Sequence, residues 1–308
     1  MEGPRPFDDL RLVSLNVLHG FQCPPETDHC AAPDRVTLLT QLLDEARCPE
    51  VVALQEVSTW MHDLVVARLP GLCNGRYRIV TDELRALDTE VVVTSLPVQD
   101  LARTRLAGAQ RTALWVRVAA AVGPVDVVVT HIGAGADDQG RGGVPCAAVD
   151  CPPPCRPDDA VVLCQVRQVV DLVERHRSST GLAVLVGDFN VVPGSTPYRL
   201  LTGAGLVDTY LAAGNPECDP AAGVGCTGGR DDHSLAALQD TALGQTVRID
   251  FAFLRPGRCR PRLDTGDDAD GDGVPTGLFA ARPANGARLG NLAWPSDHTG
   301  TALDLACG

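Results

Sequence analysis

Apolar residues along this chain gather in short runs, separated by polar stretches rich in Gly and Pro. The runs at residues 10–17, 50–55, 90–94, 112–121, 125–131, 182–187, 247–254 and 301–305 are dense in Val, Leu and Ile and predict β-strands. Several lack polar alternation, as in Val127-Val128-Val129 and Ala183-Val184-Leu185-Val186. A strand of that kind needs cover on both faces, so a sheet sandwiched between layers is expected. Helical spacing recurs at residues 34–46, 59–68 and 158–176. The last begins with acidic residues after Pro157 and ends in basic ones, the sense the helix dipole favours. Polar interruptions at residues 133–157, 214–232 and 256–291 each follow a strand end and predict long loops at one rim. The strands on either side of each must pair to bury their apolar faces, so residues 1–308 are expected to form a single domain.

Composition narrows the class. Of the 308 residues 44% are hydrophobic, yet no apolar run approaches the roughly 20 residues of a membrane-spanning helix, so a soluble globular protein is expected. The formal net charge is −13, and all 26 basic residues are arginine. Such a balance repels a polyphosphate backbone at long range and argues against a protein that coats nucleic acid through counterion release. It leaves room for a local cationic or metal-bearing cleft.

Twelve cysteines, an even and high count, point to disulfides in an oxidising compartment, and secretion is the expectation. The start Met1-Glu2-Gly3-Pro4-Arg5 has no apolar h-region, so an export signal would not be part of this sequence. Cys23 with Cys30 and Cys218 with Cys226 bracket short excursions, while Cys146, Cys151, Cys155 and Cys164 cluster in a third loop. Local pairing would staple these loops, each closure contributing about 2 to 4 kcal/mol. The rival is a zinc site in the four-cysteine cluster, whose spacing lacks a paired Cys-x-x-Cys.

Polar side chains stand at the ends of apolar strands, where a core argument predicts none. They are Asn16, Glu56, His131, Asp188 with Asn190, Asp250, and Asp297 with His298. Any one of them alone reads as a turn or cap residue. If the strands are neighbours, their ends converge on one rim. Burying several carboxylates costs several kcal/mol each unless a cation or hydrogen bonds compensate, so convergence implies a bound metal or a polar network. Oxygen donors with few cysteines or histidines favour Mg²⁺ or Mn²⁺ over zinc.

The ordered series Leu15-Asn16-Val17, Gln55-Glu56-Val57, Thr130-His131, Gly187-Asp188-Phe189-Asn190, Ile249-Asp250-Phe251 and Ser296-Asp297-His298 resembles the motifs of the endonuclease/exonuclease/phosphatase superfamily, the DNase I-like hydrolases. Gly-Asp-Phe-Asn and Ser-Asp-His are its specific members. The resemblance runs from Leu10 to Leu305. It implies an α/β four-layer sandwich of two packed mixed β-sheets flanked by helices, and a role for each matched position. Glu56 would be the main ligand of a divalent ion, with Asn16 taking part directly or through a water and Asp297 nearby. His298 would be the general base for an attacking water, its other N–H held by Asp250. Asp188 and Asn190 would orient the water and the phosphate, with Asp188 as the base in an alternative assignment. His131 would donate to a phosphate oxygen from the other side. Arg111 would add a phosphate contact, or else be a solvated residue at a strand start.

Asp268, Asp270 and Asp272, followed by Gly273, are similar to the start of a calcium loop. Phe279 stands at the twelfth position where an acidic residue belongs, so structural Ca²⁺ competes there with a solvated acidic turn. The expected substrate is a phosphoester, nucleic acid or phospholipid, with no stable protein partner and no transmembrane segment. A nuclease-like phosphodiesterase ranks slightly ahead of a secreted sphingomyelinase- or phospholipase C-like enzyme, and a small-molecule or inositol-type phosphatase comes third. Basic clusters that would track a phosphate backbone are few, the nearest being Arg255, Arg258, Arg260 and Arg262. Aromatics are 4% of residues, too few for an obvious lipid-inserting hairpin. A non-catalytic binding module of the same fold is the reading from another class.

Overall fold

A computed structural model describes residues 10–81, 88–108, 111–135, 144–178, 181–230, 234–262, 277–283 and 291–307. Its strands are β1 (Leu10–Asn16), β2 (Val51–Gln55), β3 (Arg78–Val80), β4 (Val91–Thr94), β5 (Val98–Arg105), β6 (Thr112–Ala120), β7 (Gly123–His131), β8 (Ala183–Asp188), β9 (Val207–Asp208), β10 (Asp250–Arg255), β11 (Cys259–Pro261), β12 (Gly277–Phe279) and β13 (Gly300–Cys307). The helices are α1 (Asp28–Glu45), α2 (Thr59–Arg68), α3 (Val161–Arg175), α4 (Thr196–Gly203), α5 (Thr209–Ala212) and α6 (Leu235–Gln239).

Two mixed sheets form. One runs β11-β13-β1-β2-β4-β3 with β12 also on β13, and the other runs β5-β6-β7-β8-β10-β9. Each holds one parallel pair at its centre, β1 with β2 and β7 with β8. The unbroken apolar runs are explained by what covers them. Leu12, Ala53, Val127, Val129 and Val186 face between the sheets. Their neighbours Val13, Leu15 and Val52 point out to Val36, Leu39 and Leu43 of α1 and Met61 and Val65 of α2. Val128 and Leu185 point the other way, to Val166, Val169 and Val173 of α3. Each of the Val, Leu and Met side chains among these contributes about 1.5 to 3 kcal/mol by leaving water. The result is the α/β four-layer sandwich, DNase I-like, that the motifs implied.

Several boundaries differ from expectation for physical reasons. Residues 247–249 do not join β10, because Val247 bridges Gly228 and the N–H of Ile249 goes to Thr227 Oγ1 at 3.0 Å. The acidic start expected for α3 lies outside it: Asp159 Oδ2 accepts from Arg167 Nε and Arg156 N, both at 2.9 Å, and ties the preceding loop to the helix. The stretch 256–291 holds β11 and β12, which extend the first sheet beyond β13. All twelve cysteines pair: Cys23–Cys30, Cys48–Cys73, Cys146–Cys151, Cys155–Cys164, Cys218–Cys226 and Cys259–Cys307. Pairing within the four-cysteine cluster removes the thiolates a zinc site needs. Cys48–Cys73 and Cys259–Cys307 are not loop staples, the second joining β11 to β13 across 48 residues. Among the described residues no helix is long and apolar enough to cross a membrane.

Candidate active site

Strand register brings the polar ends together. On the first sheet Asn16 pairs with Gln55, so Glu56 follows one residue beyond the rim, turned by a left-handed backbone at φ 59°. On the second sheet His131 pairs with Asp188 and Asp188 with Asp250, which sets an imidazole and two carboxylates side by side. Gly187 makes this approach possible: at φ 143° a Cβ there would lie 1.8 Å from Thr130 O. His298 enters from the loop before β13. Its N–H donates to Ser296 Oγ at 3.2 Å, and that hydroxyl donates to Asn16 O at 2.6 Å, which pins the loop to β1.

The predicted residues form one continuous network across the two sheets. Asn16 Nδ2 donates to Glu56 Oε1 at 3.0 Å and to Asp188 Oδ2 at 3.2 Å, while its Oδ1 accepts the Leu18 N–H at 3.0 Å. Asp188 Oδ2 lies 3.4 Å from His131 Nε2 and 3.7 Å from His298 Nε2, and its Oδ1 accepts the Asn190 N–H at 3.0 Å. His298 Nδ1 and Asp250 Oδ2 are 2.9 Å apart. Asn190 Nδ2 donates to Ile132 O at 3.0 Å and lies 3.2 Å from His131 Nε2. Asp297 is buried, with Oδ1 3.1 Å from the Ser296 hydroxyl and its carbonyl taking Gln245 Nε2 at 2.7 Å. Arg111 packs against His131 Nδ1 and pairs with Asp88.

Charge crowding perturbs these groups in opposite directions. Burial alone would disfavour the imidazolium of His298, but Asp250, Asp188 and Asp297 around it push its pKa well above the ordinary value. His131 is raised against burial by Asp188 and Asp88. Burial pushes Glu56 toward the neutral acid, yet His131, His19 and the hydrogen bonds from His19 N–H and Asn16 hold it below the ordinary carboxylate value. Asp250 is pushed up to about 6, chiefly by burial, and its Oδ1 is buried without a hydrogen-bond partner.

The donor set fits a hard divalent ion. It combines carboxylates and amides at the junction of the sheets, where the Glu56 carboxylate, held below its ordinary value against burial, lies 3.0 Å from the Asn16 amide. Ligand atoms of Asp188, Asp250 and His298 lie within 4.8 Å of one another.

Three contributors had no sequence signal. Asp88 Oδ1 lies 3.4 Å from His131 Nδ1 and is held at about 2 by His131 and Arg111, against the burial that would raise it. His19 donates its N–H to Glu56 Oε2 at 3.0 Å. Arg35 is buried and bonds only backbone carbonyls. The basic stretch is not part of this pocket. β10 runs away from Asp250 to Arg255, about 17 Å for its length, and Arg255 and Arg262 pair with Glu174 and Asp304. Asp268, Asp270 and Asp272 lie outside the described residues.

The sequence profile described as the Endonuclease/Exonuclease/phosphatase family matches residues 13–298, and the chain belongs to that family. Solved structures share the fold at low identity. A D. rerio TDP2 humanized by 14 mutations has a TM-score of 0.64 and 16% identity, covering 97% of this chain and 99% of that one. D. rerio TDP2 complexed with single strand DNA product has a TM-score of 0.62 and 14% identity over the same shares. An endonuclease/exonuclease/phosphatase from Bacteroides vulgatus has 0.63 and 16%, covering 97% of this chain and 99% of that one. No curated protein matches in sequence.

Proposed function

We propose that this family member is a divalent-metal-dependent phosphodiesterase, nuclease-like, in which a water activated by the chain's own side chains attacks phosphorus. The observation that carries the reading is the Asp250–His298–Asp188 relay, at 2.9 and 3.7 Å, lying beside the buried Glu56. Glu56, with Asn16 and Asp297, would hold Mg²⁺ or Mn²⁺. When bound, such an ion polarises a phosphoryl oxygen and neutralises charge on the leaving group.

The remaining steps belong to the protein. Asp250 accepts the Nδ1–H of His298 and so fixes the ring with Nε2 toward Asp188, where in its neutral form it would take a proton from water. Asp188, restrained by Asn16 and the Asn190 N–H, orients that water. His131, whose charged form Asp188 and Asp88 favour, would donate to a phosphate oxygen from the opposite side, with Arg111 and Asn190 completing the phosphate-facing wall. A nucleic-acid ester ranks ahead of a lipid because a fold relative, D. rerio TDP2, holds a single-strand DNA product. Six disulfides and a net charge of −13 suit a secreted enzyme, and with it a sphingomyelinase-like lipid phosphodiesterase as the second reading.

Hydrolysis of an aryl phosphodiester with Mg²⁺ or Mn²⁺ tests the reading. Turnover should vanish with EDTA and fall by about 10² to 10⁴ in His298→Ala, the usual cost of losing a general base. A folded protein with no metal-dependent turnover on DNA, sphingomyelin or inositol phosphates would instead be a binding module.

A further inference from the structure

The loop after β1 and the left-handed first turn of α1 that it runs into are more constrained than a connection needs to be. Leu18, Gly20, Asp28, His29, Cys30 and Ala31 all have positive φ, between 49° and 72°. Side chains of L-residues disfavour this region, and such conformations persist only where the surroundings over-determine them, as at ligand sites. The surroundings here do so. Cys23–Cys30 closes the loop, Arg35 donates to Leu18 O, His29 O and Cys30 O, and Trp60 stacks on His29 at 4.1 Å while its Nε1 donates to His19 O at 2.9 Å. Gly20 admits the close pass, since a Cβ there would meet His29 O at 2.5 Å.

This rigid loop holds an aromatic ring out in water. Phe21 is 62% exposed, more than any other large hydrophobic side chain among the described residues. It is coupled directly to the metal-facing carboxylate: Phe21 N–H donates to His19 Nδ1 at 2.9 Å, and His19 N–H donates to Glu56 Oε2 at 3.0 Å. The first bond makes Nδ1 an acceptor, so in neutral His19 the proton is on Nε2, 3.7 Å from Glu56 Oε2. His19 and Phe21 stand edge to face at 6.3 Å. A ring two residues from His19, whose N–H bonds the Glu56 carboxylate, offers a flat apolar surface with few rotamers to lose.

We propose that Phe21 is a stacking platform for the nucleobase attached to the scissile phosphodiester, placed by His19 and the cross-linked loop. The inference rests on the phosphodiesterase reading and sets its substrate class, a flexible single-stranded end whose base can swing onto the ring. A bilayer is the weaker occupant, because a single exposed ring buries too little apolar surface to anchor a protein.

Calorimetry with Mn²⁺ present tests it through the ratio of affinities for thymidine 5′-phosphate and for 2-deoxyribose 5-phosphate, which lacks the base. Wild-type protein should prefer the base-bearing ligand by about five- to a hundredfold, the range of one base–aromatic stack. Phe21→Ala should bring the ratio close to one, and Phe21→Trp should retain it. An unchanged ratio in Phe21→Ala, or no preference in wild type, overturns the proposal. So does Phe21→Ala losing affinity only for phosphatidylcholine–sphingomyelin vesicles. Because the readout is binding, a protein that keeps the preference yet turns over no phosphodiester refutes the hydrolase reading and leaves the platform standing.

Discussion

Replacing Arg35 by lysine should loosen the pocket from beneath. The guanidinium is fully buried and meets five carbonyls: Nε reaches Cys30 O at 2.9 Å, Nη1 reaches Val17 O and Pro295 O, and Nη2 reaches Leu18 O at 3.1 Å and His29 O at 3.0 Å. Arginine has five N–H donors, so the stoichiometry is complete. These carbonyls come from the exit of β1, the Cys23–Cys30 loop and the segment before Asp297, so one side chain joins the elements that carry Asn16, Glu56's partner His19, and His298. Burial lowers its pKa to about 10, with Asp297 and Glu56 acting against that shift at longer range. Lysine brings three donors on a compact head, leaving at least two buried acceptors unserved at about 1 to 3 kcal/mol each. The expected loss is therefore about 2 to 6 kcal/mol. Leu18, His29 and Cys30 would also lose what holds them at positive φ, an arrangement costing about 1 to 2 kcal/mol per residue. Against a total stability of about 5 to 15 kcal/mol, Arg35→Lys should remain folded but visibly weakened. Urea denaturation with the disulfides intact reads the loss, and calorimetry with Mn²⁺ reads the slackened site. A loss below about 1 kcal/mol with unchanged Mn²⁺ affinity would refute the clamp.

Asp250→Asn should lower turnover and bring the His298 pKa down, as imidazole NMR would record, with Mn²⁺ affinity nearly unchanged. Glu56→Gln should instead weaken Mn²⁺ binding in calorimetry, and the reverse pattern would exchange the two assignments. Asp88 sits at about 2 in the fold against an ordinary 3.8. Its depressed value contributes about 2 kcal/mol of stability that is present above pH 3.8 and lost as pH falls through 2. Asp88→Asn should flatten that part of the urea midpoint against pH, and a curve identical to wild type would dismiss the pairing with Arg111 and His131. Alkylation of unreduced protein followed by mass spectrometry should label none of the twelve cysteines. Labelling confined to Cys146, Cys151, Cys155 and Cys164 would revive the zinc alternative.

What could be read ahead of the structure, and what could not, divides along a physical line. Asn16, His131 and Asp188 were legible because each ends an apolar strand, where a polar residue has no packing reason to be. Parallel pairing of β1 with β2 and of β7 with β8 then carries such ends to a common rim. β5 escaped notice because its residues are exposed or only half-buried, so an edge strand leaves no apolar run to find. β3, β9, β11 and β12 hold two or three residues each, too few for a period.

Asp88 and Arg35 were hidden for a different reason. A charged residue in sequence signals solvent, and only tertiary partners reverse that sign: Arg111 and His131 for Asp88, five carbonyls for Arg35. Local pattern reports which faces are apolar, and it is silent on which polar groups will be buried together. The pocket's chemistry is therefore visible in its strand ends, whereas its rigidity depends on residues that, one by one, look like ordinary surface. That asymmetry also bears on Phe21. An isolated Phe in a Gly- and Pro-flanked stretch carries no meaning until the left-handed turns and the bonds from Phe21 N–H to His19 and from His19 N–H to Glu56 show its backbone held in place.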